Sequence, residues 1–114
     1  MNKICTSIEQ SKKLIELGID VNTADMMWED WRLIDDEWKL SVGYYPEIEQ
    51  DYGRKCYPAW SLAALLDVLP SATLDSSDEH YYRLHSNEKF TEWHDNPVDV
   101  CYEMIIKLNE LKFL

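Results

Sequence analysis

Apolar and polar residues alternate along this chain with two different periods, and the switches between them divide it into elements. "TSIEQSKKLIELGI" places Ile8, Leu14, Ile15 and Leu17 on one side of a helix, with Glu9/Lys13 and Lys12/Glu16 as i,i+4 neighbours on the wet side. Thr6 with Glu9 fits a capping box, and Ser7 with Gln10 fits one a residue later. Gly18 suits the left-handed residue that ends such a helix, with Ile19 touching Leu14 as the hydrophobic contact of a Schellman motif.

Between residues 19 and 45 short apolar bursts alternate with acids. Trp38, Leu40 and Val42 alternate with Lys39 and Ser41, which is the period of a strand, and one or two short strands are expected here. Residues 46–56 are polar, contain Pro and Gly, and read as a loop. "YPAWSLAALLDVLP", residues 57–70, is the least polar part of the chain. Pro58 suits the first position of a helix, Pro70 stops it, and the spacing of Ala59, Leu62, Ala63, Leu65, Leu66 and Leu69 predicts a central core helix. Residues 71–80 read as a polar loop.

"YYRLHSNEKFTEWH" reads as a hairpin turning at Asn87-Glu88. That register pairs Ser86 with Lys89, His85 with Phe90, Arg83 with Glu92 and Tyr81 with His94. It turns Tyr82, Leu84, Thr91 and Trp93 to the core. The last helix is the clearest. Asn96 caps it, Pro97 stands at its first position, and Asp99 sits near the positive end of its dipole. Cys101, Met104, Ile105, Leu108 and Leu111 form one stripe, and Val98, Tyr102, Ile106 and Phe113 a second. The sum is one α+β domain over residues 1–114, with three helices packed on a small antiparallel sheet in the order α-β(β)-α-β-β-α.

Composition narrows the function. The 114 residues carry 22 acids against 11 Lys and Arg, a net charge of −11. Such a chain repels nucleic acid and anionic membrane surfaces and favours basic partners. No apolar run approaches the roughly 20 residues of a spanning helix. The N-terminus lacks the apolar stretch of a signal peptide. Cys5, Cys56 and Cys101 are odd in number and far apart, which predicts reduced thiols in the cytoplasm.

Candidate chemistry is sparse. His80, His85 and His94 invite a metal, but the hairpin register sets His85 and His94 about 13 Å apart along the sheet, too far for one ion, and surface histidines are the plainer reading. Cys56 beside Arg54 and Lys55 has an activating neighbourhood, whereas Cys101 falls on the buried stripe. The acid groups Glu29–Asp30, Asp35–Asp36–Glu37 and Asp78–Glu79 lack the spacing of a calcium loop and read as solvated charge. No phosphate loop, nucleophile elbow or zincin motif occurs, and no cofactor or metal site is expected. Arg83, His85, Glu92 and His94 share a predicted face and are the place to look for a pocket.

Three stretches, "SIEQSKKLIELGIDVNTADM", "YPAWSLAALLDVLP" and "DNPVDVCYEMIIKLNELKFL", together resemble a group of small uncharacterised proteins encoded in the genomes and mobile elements of gut anaerobes. The resemblance covers about half the chain and excludes residues 27–56 and 71–89. It implies an accessory or prophage-type setting and a shared fold, and brings no activity, cofactor or catalytic residue with it.

The remaining signal is aromatic. Met27, Trp28, Trp31, Trp38, Tyr44 and Tyr45 supply more apolar surface than a small sheet hides, with acids interspersed. Aromatics and Met are enriched in interface cores. The leading expectation is a non-enzymatic interaction protein whose partner is another protein or a second copy. The rivals are an acidic mimic of nucleic acid that blocks a DNA-binding protein, and a small enzyme with its pocket at the hairpin.

Overall fold

The computed structural model describes residues 3–77, 79, 81–86 and 88–112. The fold is α+β, but with two three-stranded antiparallel sheets rather than one. The first has the order β2-β1-β3, from β1 (Met26–Asp30), β2 (Trp38–Val42) and β3 (Cys56–Ala59). The second has the order β4-β5-β6, from β4 (Thr73–Ser76), β5 (Tyr82–Ser86) and β6 (Lys89–Phe90). Helices α1 (Ile8–Glu16), α4 (Leu62–Val68) and α5 (Pro97–Glu110) are the predicted three, and two short ones, α2 (Arg32–Asp35) and α3 (Glu47–Tyr52), are added.

The main core joins α4, α5, β5, Leu14 of α1 and Trp60, while Met27 and Ala59 of the first sheet are buried outside that cluster. The first sheet is thus a smaller body attached through α1 and Trp60. The radius of gyration, 15.0 Å, exceeds the roughly 13 Å of a compact chain this long.

The helix ends follow local chemistry. Ser7 Oγ accepts the Gln10 amide and Gln10 Oε1 accepts the Ser7 amide, so the capping box takes the later register. At the other end the Ile19 amide donates to the Leu14 carbonyl at 3.1 Å and the Gly18 amide to Ile15 at 3.0 Å, with Gly18 at φ +88°. This is the Schellman end that Gly18 predicts. In α5, Asn96 Oδ1 accepts the Val98 and Asp99 amides. Cys101, Met104, Ile105 and Leu108 are buried as their spacing requires, though Leu111 stays 46% exposed. Phe113 lies outside the described residues.

The largest correction concerns Pro58. It opens no helix and lies in β3, opposite Met27. The Asp30 amide donates to the Lys55 carbonyl at 2.9 Å. Counting in twos from there makes Trp28–Tyr57 and Met26–Ala59 the bonded pairs. Met27–Pro58 is therefore a pair that exchanges no hydrogen bonds, so the missing N–H of Pro58 leaves the ladder intact. The helix begins at Leu62 under Ser61, whose Oγ accepts the Ala64 amide and donates to Asp25. It is not enclosed all round. Ala64 and Leu65 are buried, but Ala63 is exposed, and Ile4, Leu62, Ala63, Leu66, Pro97 and Val98 border an open hollow of about 530 Å³.

Two predicted loops carry structure: α3 within residues 46–56, and β4 within 71–80. The hairpin keeps its predicted register at Ser86–Lys89 and His85–Phe90. Beyond Thr91 the strand slips by one residue, and Tyr82, not Tyr81, exchanges hydrogen bonds with His94. Glu92 and Trp93 together oppose Arg83, a bulge that turns Trp93 outward to 44% exposure instead of into the core. Leu84 and Thr91 remain buried. The turn residue Asn87 lies outside the described residues.

Candidate functional site

In the first sheet, side chains alternate between two faces. The register puts Trp28, Trp38, Leu40 and Tyr57 on one and Met27, Glu29, Lys39 and Cys56 on the other. The six residues singled out in the sequence therefore do not form one surface. Met27 is fully buried and offers nothing to a partner. Trp28 is half-buried, with Nε1 donating to the Thr6 carbonyl at 3.0 Å. Trp38 packs on Tyr57 at 5.8 Å between ring centres. Tyr44 is half-buried, and burial first, then nearby Cys56, Glu49 and Glu47, raises its hydroxyl pKa. Tyr45 is half-exposed, and its ring lies against Gly43, where a Cβ would meet it at 2.6 Å.

Trp31 and Trp38 are occupied by the protein's own cations. Arg54 lies 3.9 Å and Lys39 4.9 Å from the Trp31 ring centre, and Arg32 lies 4.9 Å from that of Trp38. The same cations reach carboxylates. Arg32 binds Asp30 through Nε and a terminal nitrogen at 2.8 and 2.7 Å, and these bonds hold the Asp30 pKa down at about 2. Lys39 pairs with Asp35, and Arg54 with Glu29 at 3.7 Å.

The three most exposed aliphatic side chains, Leu33, Val42 and Ile34, were not among the predicted six. Leu33 is 103% and Ile34 70% exposed, side by side on α2. Asp30 Oδ1 accepts the Arg32 amide and starts this turn; Asp36, at φ +60°, ends it by donating its amide to the Arg32 carbonyl at 3.2 Å. The Trp31 amide donates to the Glu37 carbonyl and closes the base. Leu33 and Ile34 thus stand on a braced projection. Beside it Trp31, Tyr52, Arg54 and Lys55 complete a hollow of about 280 Å³. Tyr52 is itself 69% exposed. The only sequence signal for this projection was an apolar pair caught between Asp30 and Asp35 in a stretch too short to bury it.

The hairpin face divides in two. Arg83 and His85 turn to Asp75, at 3.5 and 3.9 Å, and His85 also stacks on Phe90. His94 Nε2 lies 2.5 Å from Glu103 Oε1, and Glu103 also accepts the Glu92 amide at 3.2 Å. Arg83 thus pairs with Asp75 on β4, while the Glu92 amide and His94 turn to α5. His80 lies outside the described residues, and among the described residues no three candidate ligands gather for a metal.

No thiol is activated. Burial raises Cys5 to about 11 and Cys101 to about 12. Cys56 is raised too, by burial and then by Glu29 and Glu49, which together outweigh Arg54, contrary to the expectation from its basic neighbours. Among the described residues no helix is long and apolar enough to cross a membrane. Comparison with protein families, curated proteins and solved structures gives no match for this chain.

Proposed function

We propose that the protein is a non-enzymatic interaction module that holds another protein at the outer end of its first sheet. The reading rests on Leu33 and Ile34, adjacent aliphatic side chains held out into solvent by a hydrogen-bonded turn. Each would contribute about 1.5–3 kcal/mol on full burial in a partner. Trp31, Tyr52 and Arg54 around the neighbouring hollow are residue types that anchor interfaces. The net charge of −11 favours a partner with basic residues around its contact. A cytoplasmic setting is part of this proposal, and the three free, widely spaced cysteines support it.

The test is affinity capture at high salt with the wild type and a Leu33→Asp/Ile34→Asp double variant. Both sites are exposed, so stability should shift by no more than about 0.5 kcal/mol each. The wild type should keep a partner that the double variant loses, and equal retention would overturn the reading. A charge mimic of nucleic acid is the second reading, favoured by the −11 charge; its partner would leave at high salt instead. Engagement of Glu29, Asp30, Asp35, Asp75 and Asp99 by the protein's own cations weighs against it. A catalytic hairpin has less support, because Arg83 and His85 are drawn to Asp75 and His94 to Glu103.

A further inference from the structure

In an antiparallel ladder, alternate residue pairs exchange backbone hydrogen bonds. The Gly43 amide donates to the Asp25 carbonyl at 2.7 Å, and the Trp31 amide to the Glu37 carbonyl at 3.1 Å. Counting in twos between these ends makes Met27–Ser41 and Glu29–Lys39 the bonded pairs of β1 and β2. Trp38, Leu40 and Val42 therefore turn their amides and carbonyls away from β1, along an edge that no other strand among the described residues pairs. Exposed edges are usually blunted by Pro, by a bulge or by a charge. This strand has neither Pro nor a break in register, and its one charge, Lys39, is engaged by Asp35.

We propose that two copies of the chain join through this edge, β2 against β2, antiparallel about a two-fold axis at Leu40. The inference does not depend on the α2 projection. The register is set by the residues themselves. Centred on Leu40, it places Leu40 opposite the partner's Leu40, Trp38 opposite the partner's Val42, and Lys39 opposite the partner's Ser41. The outward-turned residues then pair only with one another and bond in both directions. Their side chains share one face, so apolar meets apolar throughout, and Val42, 81% exposed in the single chain, meets the Trp38 indole.

Beyond the strand Glu37 falls opposite Gly43 and Asp36 opposite Tyr44, so no acid faces an acid despite the −11 charge. Sliding by two residues in one direction would set Lys39 against Lys39, a like-charge pair directly opposed. Sliding in the other direction would carry Trp38 past the end of the partner strand. An edge this short buries less than a permanent homodimer does, so the pairing is concentration-dependent.

The test uses the purified chain alone, by sedimentation velocity from micromolar to millimolar concentration. The mass should rise from 13.5 kDa toward twice that value. Oxidative cross-linking in a Cys56→Ser background fixes the register. Leu40→Cys would bring two Cα atoms to about 5.5 Å across the axis, within disulfide reach. Val42→Cys would leave them more than about 13 Å apart along the strand. A covalent dimer should form at the first position and not at the second. Val42→Pro removes only an outward amide; it should keep the unfolding transition of the single chain and lose the dimer. A 13.5 kDa species at every concentration would overturn the proposal. So would equal cross-linking at both positions, or an undiminished dimer in Val42→Pro. Loss of the dimer in Leu33→Asp/Ile34→Asp would move the contact to α2 and equally overturn the edge, whereas failure of partner capture with the dimer intact touches only the α2 reading.

Discussion

The two edges of the first sheet are finished in opposite ways. On the β3 side, Pro58 removes a donor from the outer edge, and the chain's own N-terminal segment lies alongside through the Cys5–Ser61 bridge and the Thr6 amide, which donates to the Trp60 carbonyl at 2.9 Å. Lys3 and Gln10 then tie that segment to Asp99 of α5. On the β2 side no segment among the described residues pairs with the edge, and the adjoining turn carries Leu33 and Ile34 into solvent. A sheet this small gains stability by closing one edge on the core. The other edge, with its projecting end, leaves Leu33, Ile34 and Val42 exposed.

The closed edge breaks with the largest effect at Trp60. Its ring is fully buried, its Nε1 donates to Thr23, and its backbone holds Thr6. Trp60→Ala should cost about 3–5 kcal/mol in urea unfolding. Thr6→Val should cost about 1–3 kcal/mol, because it strands the buried Trp60 amide and the Ser11 hydroxyl that share the Thr6 oxygen.

The Asp99 clasp is weaker and depends on pH. Burial alone would raise this carboxyl. The hydrogen bonds from Lys3 and Gln10 and the positive charges of Lys3 and His94 outweigh it and hold the pKa below the ordinary 3.8. A depressed pKa stabilises the fold above the unfolded-state value and ceases to do so as pH falls through the folded one. Stability should therefore drop on acidification below about 4, and Asp99→Asn should flatten that part of the profile. On the open side, Leu33→Asp should shift stability least, by about 0.5 kcal/mol or less, and Val42→Pro should be tolerated because the lost amide faces outward on an edge strand. Their effects should appear in assembly and capture.

What was legible in the sequence follows the same division. Helices α1 and α5 announce themselves because their caps are local: Ser7 with Gln10, Gly18 after the last turn, Asn96 before Pro97. The hairpin register was readable as far as Thr91 because the pairing of Ser86 with Lys89, close in sequence, sets it. The bulge was not, since the Glu92 amide and His94 are drawn to Glu103 on α5, a contact no local pattern displays. Pro58 reads equally as a helix start or an edge-strand residue, and its pairing with Met27 decides between them. Aromatic abundance drew attention to this stretch of chain, but not to the side chains that the fold leaves most exposed. The indoles of Trp31 and Trp38 are covered by Arg54, Lys39 and Arg32, while the aliphatic pair between them is left bare.

Amide hydrogen exchange, read residue by residue along β2 at low and at high protein concentration, tests the contrast between the edges most directly. In the dilute chain Lys39 and Ser41 should be protected by β1, while Leu40 and Val42 exchange quickly. At high concentration Leu40 and Val42 should become protected and β3 should stay unchanged. Leu40 and Val42 exchanging quickly at every concentration, or protection already present in the dilute chain, would contradict an open edge that closes on its own copy.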